Sequence, residues 1–152
     1  MELNTATSIL EKYWGFDSFR PLQGAIVQSV LDKKDTVVLL PTGGGKSLCF
    51  QVPALILDGL CIVISPLIAL MKDQVENLQK RGIKAAYINS EHSSTKQIEI
   101  LDNCEFGGVK LLYIAPERIQ SEAFQLRIRQ LNISLIAIDE AHCISQWGYD
   151  FR

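Results

Sequence analysis

The sequence predicts an α/β fold in which a mainly parallel sheet carries helices on both faces. Three observations predict it. Short, wholly apolar runs rich in β-branched residues recur along the chain, the mark of strands buried on both faces. Stretches with helical spacing of apolar residues separate them, and such alternation implies parallel pairing through right-handed crossovers. Two of the runs end directly in polar chemistry, at Gly43-Gly44-Gly45-Lys46-Ser47 and at Asp139-Glu140. With 152 residues, 47% of them hydrophobic, the chain is one domain's worth with enough apolar content for a core.

In chain order, strands are expected at 37–40, 61–65, 84–88, 109–115 and 133–139. Helices are expected at 21–31, 46–57, 66–80, 94–103 and 117–131. Residues 133–138 are apolar enough for a central strand. Ser65-Pro66 reads as an N-cap and first helical residue after a buried strand, and Pro116-Glu117 reads the same way. Asn89-Ser90 reads as a turn, and His92 as a solvated loop residue. No repeat, low-complexity segment or Pro/Gly/Ser-rich linker interrupts this order.

The run at 37–40 feeds into Pro41-Thr42-Gly43-Gly44-Gly45-Lys46-Ser47. Glycines lack a Cβ, so their N–H groups can turn inward around an anion. Lys46 is expected to open a helix whose positive end adds to the same site. Lys46 then reaches the β- and γ-phosphates of a nucleotide, and the Ser47 hydroxyl ligates Mg²⁺. The strict phosphate-loop pattern places glycine where this chain has Leu40, so Gly43 and Gly45 carry the bend. The plainer reading is a glycine-rich turn before a capped helix. The strand before it and Lys-Ser at the right offset argue against that.

The run at 133–138 repeats the logic by running straight into Asp139-Glu140. A carboxylate at the carboxyl end of a parallel strand stands where open α/β sheets bind ligands. Asp139 is expected to hold Mg²⁺, through water, and Glu140 to orient and deprotonate an attacking water. Two adjacent acids after a strand are more often a bare helix start; a phosphate loop upstream reverses those odds.

Absences bound the setting. Met1-Glu2-Leu3-Asn4 shows neither the basic region nor the apolar core of a signal peptide, and no apolar run has the length to cross a membrane. Cys49, Cys61, Cys104 and Cys143 form no C-x-x-C pair, which suits reduced thiols inside a cell and gives zinc no support. A formal charge of −2 is not that of a basic nucleic-acid-binding domain, so any such contact must be local. A candidate lies at 144–152, where Trp147, Tyr149, Phe151 and Arg152 crowd together. One reading has this loop stack on an unpaired base, worth roughly 1–3 kcal/mol per base; the other has Trp147 and Phe151 cover the sheet edge.

From about residue 8 to its end the chain resembles the first RecA-like motor domain of RecQ-family DNA helicases, within superfamily 2. The residues that carry the resemblance stand in the family's order. Residues 16–23, Phe16-Asp17-Ser18-Phe19-Arg20-Pro21-Leu22-Gln23, resemble its adenine-recognition motif, and 40–47 its phosphate loop with the first glycine absent. Residues 65–74 and 113–118 resemble segments that touch the DNA backbone, and 139–148 the acidic motif with its aromatic-rich loop. The resemblance implies an incomplete RecA-like P-loop NTPase domain, truncated at its C-terminal side, that uses ATP and Mg²⁺.

It also implies roles. Phe16 would stack on adenine while Arg20 and Gln23 contact its edge, and Thr42, Gly43, Gly44, Gly45, Lys46 and Ser47 would hold the phosphates. From the residues alone, the preferred reading of Phe16 is a staple ahead of the helix near Pro21. Ser47 and Asp139 would hold the metal, and Lys46, Asp139, Glu140 and His142 would form the catalytic set. His142 reads otherwise as a buried, hydrogen-bonded histidine. Ser65, Pro66, Pro116, Glu117, Arg118, Trp147, Tyr149, Phe151 and Arg152 would meet DNA, single-stranded or at duplex junctions. Tyr149 departs from the family, which usually carries histidine there.

The chain ends before the second RecA-like domain expected to close over the nucleotide and supply an arginine worth roughly 10³–10⁵ in rate. The fragment is therefore expected to bind nucleotide weakly and to unwind nothing. A non-catalytic nucleotide- or DNA-binding module and an RNA helicase stand as alternatives, with no membrane partner. The resemblance places the protein inside the cell, in the cytoplasm or nucleoid of a bacterium or the nucleus of a eukaryote.

Overall fold

The structure, a computed structural model, describes residues 3–40 and 45–140. It divides into two compact units, Met1–Asp58 and Gly59–Arg152.

The first unit is helical. α1 (Leu3–Trp14), α2 (Gln23–Leu31) and α3 (Leu48–Ile56) pack on one another. Each turns an apolar stripe inward, Ala6 and Leu10 from α1, Val27 and Leu31 from α2, Cys49 and Val52 from α3. These i, i+4 and i, i+3 spacings are the helical period itself. α1 was not among the expected elements. The strand expected at 37–40 does not form: Val37 and Leu39 are 89% and 88% exposed. Among its described residues this unit holds no strand at all, and a strand exists only through lateral hydrogen bonds. Apolar composition alone does not supply them.

The second unit is an α/β layer. β1 (Leu60–Ile64), β2 (Ala85–Ile88), β3 (Leu111–Ile114) and β4 (Ile133–Ile138) form one all-parallel sheet in the order β2-β3-β1-β4. Alternation sorts its side chains onto two faces. Ile62, Ile64, Ile88, Leu112 and Ile114 pack with Ile100, Leu101 and Cys104 of α5 (Ser94–Glu105) and Phe124 of α6 (Glu122–Ile128). Tyr113 points the other way, to α4 (Ile68–Lys80), whose Met71, Val75 and Leu78 form its buried stripe. Arg127 of α6 clamps α5 through Asp102 at 2.6 Å and Glu105 at 2.9 Å.

Three expectations are corrected here. β4 is an edge strand, pairing with β1 alone among the described residues, and Ile136 is exposed. Ser65 is not the N-cap of α4, which starts only after an extended Leu67; Ser65 N still donates to Ile114 O at 3.0 Å, continuing the ladder. The helix expected over 117–131 is two: a 3₁₀ turn, Pro116–Gln120, and then α6, whose own N-cap is Ser121. The Ser121 side chain accepts from Phe124 N, satisfying one orphan donor of the new helix start.

Candidate nucleotide-binding site

In the first unit, Phe16, Ser18, Arg20, Gln23, Gly45 and Leu48 line an open cleft of about 370 Å³. That is within the roughly 300–1,000 Å³ of small-molecule clefts. Leu22, at φ 73, turns the chain left-handed into α2 and delivers Gln23 as its first residue. Gln23 is only 2% exposed, so its amide must be paired. Its Oε1 accepts from Arg20 N at 2.7 Å, and its Nε2 donates to Gly45 O at 3.1 Å. Phe16, 49% exposed, lines the cleft wall.

Gly45 sits at φ +78, where a side chain is strained, and a Cβ there would collide with Gln23 Nε2. Lys46 and Ser47 follow as a turn, and α3 begins at Leu48, two residues later than the sequence suggests. Burial pushes the neighbouring Cys49 thiol up; its Sγ lies 3.8 Å from Gly45 O. Ser18 and Leu48 were not singled out as site residues. A hydroxyl inside the 16–23 motif was the only signal for the first, and the second is simply the opening residue of α3. Thr42, Gly43 and Gly44 lie outside the described residues.

In the second unit, the register aligns four strand ends. Ile64 pairs with Ile114 and Ile138, and Ile114 pairs with Ile88. The next residues, Ser65, Asn89, Ala115 and Asp139, therefore leave the sheet side by side at its carboxyl edge, the ligand-binding end of such sheets. Asp139 N donates to Ile64 O at 2.9 Å, which carries the ladder to the first acid. Glu140 follows at φ 57, and its N–H donates to Asp139 Oδ1 at 3.1 Å. A non-glycine residue held in that region costs on the order of 1–3 kcal/mol, strain that clusters at functional sites.

Pro116 is buried beside this edge, while Glu117 is exposed. Arg118 is held by Gln97, its Nη1 donating at 3.0 Å. Asn89-Ser90 is a turn, in which Asn89 Oδ1 accepts from Glu91 N at 2.9 Å. His92 is more than solvated: its Nδ1 accepts from Asn89 N at 3.2 Å and its ring lies 5.1 Å from that of Tyr87. His142, Trp147, Tyr149, Phe151 and Arg152 lie outside the described residues. Among the described residues, no helix is long and apolar enough to cross a membrane.

The first unit thus holds a cleft beside Gly45, and the second carries two acids at the carboxyl end of a parallel sheet. The DEAD/DEAH box helicase family model matches residues 20–152, and the chain belongs to that family. Within it, the chain is 50% identical to the ATP-dependent DNA helicase RecQ of Bacillus subtilis (strain 168), over 99% of this chain and 26% of the relative. It is 47% identical to the RecQ of Haemophilus influenzae, over 100% of this chain and 25% of that protein. The probable ATP-dependent DNA helicase RecS of Bacillus subtilis is 46% identical over 94% of this chain and 29% of its own. The chain thus spans about a quarter of the length of these relatives. In fold it is similar to the DUF1998 helicase MrfA bound to DNA and AMPPNP. There the TM-score is 0.73 at 24% identity, over 91% of this chain and 21% of that one.

Proposed function

We propose that this chain is the nucleotide-binding part of a motor that hydrolyses ATP to move along single-stranded DNA and open duplexes. The observation that carries the reading is the cleft in which Phe16, Arg20 and Gln23 meet Gly45. It joins a wall for an adenine ring to the start of a phosphate cradle. The relatives' printed name, ATP-dependent DNA helicase, supports ATP and DNA as the ligands.

In this reading Phe16 stacks on the base, Arg20 and Gln23 read its edge, and residues 42–47 hold the phosphates. Lys46 neutralises charge that develops on the β- and γ-phosphates. Ser47 and Asp139 are the hard oxygen donors that Mg²⁺ prefers, and the ion would add positive charge at the phosphates. Glu140 orients the attacking water and takes its proton onto the carboxylate. His142 links this site to the neighbouring motifs.

Ser65, Pro66, Pro116, Glu117 and Arg118 meet the DNA backbone, and Trp147, Tyr149, Phe151 and Arg152 stack on or contact the strand. A second RecA-like domain of the full-length protein closes the site and supplies the arginine. The 152 residues alone bind nucleotide weakly and do not unwind.

The test is ATP turnover by the full-length protein with and without single-stranded DNA, beside Lys46→Ala. DNA-stimulated turnover that vanishes in the variant is expected. Stimulation by RNA and not by DNA would make this an RNA helicase instead, and nucleotide binding without turnover would make it a binding module.

A further inference from the structure

We infer that Gln97 is a positioning residue for DNA, whose neutral amide fixes the Arg118 guanidinium at the carboxyl edge of the sheet and leaves its charge uncancelled for a phosphate. Gln97 lies outside every segment that carries the resemblance, and its role rests on the DNA reading of Arg118.

Two arginines reach α5, and α5 answers them differently. Arg127 meets two carboxylates, Asp102 at 2.6 Å and Glu105 at 2.9 Å, so its charge is neutralised inside the fold. Arg118 meets an amide, its Nη1 donating to Gln97 Oε1 at 3.0 Å. Among the described residues it takes part in no ion pair. A neutral acceptor holds a guanidinium in place without cancelling its charge. Of the five N–H donors of that group, one goes to Gln97, and Nε–H is buried without a partner among the described residues. The other three are uncommitted there, in the planar fork that matches a phosphate bidentately.

The amide is itself anchored. Gln97 Nε2 donates to His92 O at 2.9 Å. His92 belongs to the turn that leaves β2, where its Nδ1 accepts from Asn89 N at 3.2 Å and its own N–H donates to Asn89 O at 3.3 Å. A flipped amide would set N–H against guanidinium and oxygen against carbonyl, so its orientation is fixed. Arg118 is held by its backbone as well: its N–H donates to Ala115 O at 3.1 Å, and its carbonyl accepts from Ser121 N at 3.2 Å. Ile88 pairs with Ile114, so the two turns leave the sheet side by side. Gln97 thus bridges adjacent strand exits and ties the arginine to the ligand-binding edge.

On a chain of formal charge −2, a cation kept apart from the chain's own acids is what a polyanion needs. Fixing it in advance removes rotamer freedom that binding would otherwise have to freeze.

The experiment measures binding of a single-stranded DNA oligonucleotide to the full-length protein across a salt series. It compares the parent, Arg118→Met, Gln97→Met and the double variant. Loss of one phosphate contact lowers the salt slope by about 0.7 on a single strand, and Arg118→Met should show that drop. Gln97→Met keeps the arginine, yet should bind DNA several-fold more weakly, with a slope shifted toward that of Arg118→Met. The double variant should bind no worse than Arg118→Met, because the amide acts only through the arginine. A Gln97→Met protein with parental affinity overturns the inference, and so does a double variant whose losses add.

A parental slope in Arg118→Met overturns the DNA reading of that residue instead. If Gln97→Met does not fold, Gln97→Glu decides. Its carboxylate keeps an acceptor for Arg118 but cancels the charge, so the slope should fall to that of Arg118→Met. A parental slope there overturns the positioning role.

Discussion

The Tyr113 hydroxyl donates to Gln74 Oε1 at 2.7 Å, tying β3 to the inner face of α4. Tyr113 is wholly buried, so its hydroxyl must be paired within the protein. The bond joins the two segments, 65–74 and 113–118, that resemble DNA-backbone contacts. Tyr113→Phe should cost about 1 kcal/mol, the usual net worth of such a bond. For a domain of this size that lowers Tm by about 2–4 °C. Thermal unfolding followed by circular dichroism measures it; an unmoved Tm means the bond contributes nothing.

Gly59 precedes β1 at φ +114, and a Cβ there would stand 2.8 Å from Asn132 O and 3.2 Å from Ser134 Cβ. That same Asn132 carbonyl accepts from Leu60 N at 2.8 Å, the first bond between β1 and the approach to β4. Gly59→Ala combines backbone strain with a clash and should destabilise by about 1–3 kcal/mol. A lower urea midpoint with an unaltered slope is the expected signature.

Cys61 and Cys104 are buried and free, and burial pushes each thiol up to about 12 from 9.0, opposed in part by Lys110 and Arg127 respectively. The thiolate is the reactive form, so alkylation at pH 8 should be slow in the folded protein and fast in denaturant. The sign for stability follows from linkage. Below about pH 9 both states keep their protons, and the native advantage is whole. Between 9 and about 12 the unfolded chain loses protons that the folded one retains, so stability falls as pH rises. A urea midpoint that climbs from pH 9 to 10 would contradict this.

Glu140 follows β4 in a left-handed conformation, its N–H on Asp139 Oδ1. In the role proposed for Glu140, Glu140→Gln keeps the shape and removes the base. ATP turnover should fall by about 10²–10⁴, the usual worth of general-base catalysis, with nucleotide affinity retained. Steady-state turnover and a separate binding titration distinguish the two. A loss below tenfold would remove Glu140 from that role.

Much of the sheet was legible from composition. Residues 61–64, 85–88, 111–114 and 133–138 became strands within one or two residues of their expected starts. A run buried on two faces can hardly be anything else in an alternating chain. The run at 37–40 looked the same and is not a strand, because pairing is a property of a partner and not of the run. Helix starts slipped for a related reason. Leu67 is still extended, so α4 opens beyond Ser65, and Gly45 O is taken by Gln23 where a helix opening at Lys46 would have used it.

The sequence by itself determined the chemistry on offer: a glycine-rich loop ending in Lys46-Ser47, acids at Asp139-Glu140, an aromatic and an amide at Phe16 and Gln23, and the alternation that implies a parallel sheet. Those are local properties, set by residue type and spacing along the chain. Only the tertiary structure decided that Gln23 holds Gly45, that Ser65, Asn89, Ala115 and Asp139 leave the sheet in one row, and that Tyr113 meets Gln74. Such contacts join residues far apart in sequence, and they exist because buried polar groups must find partners wherever packing of the apolar faces happens to bring them.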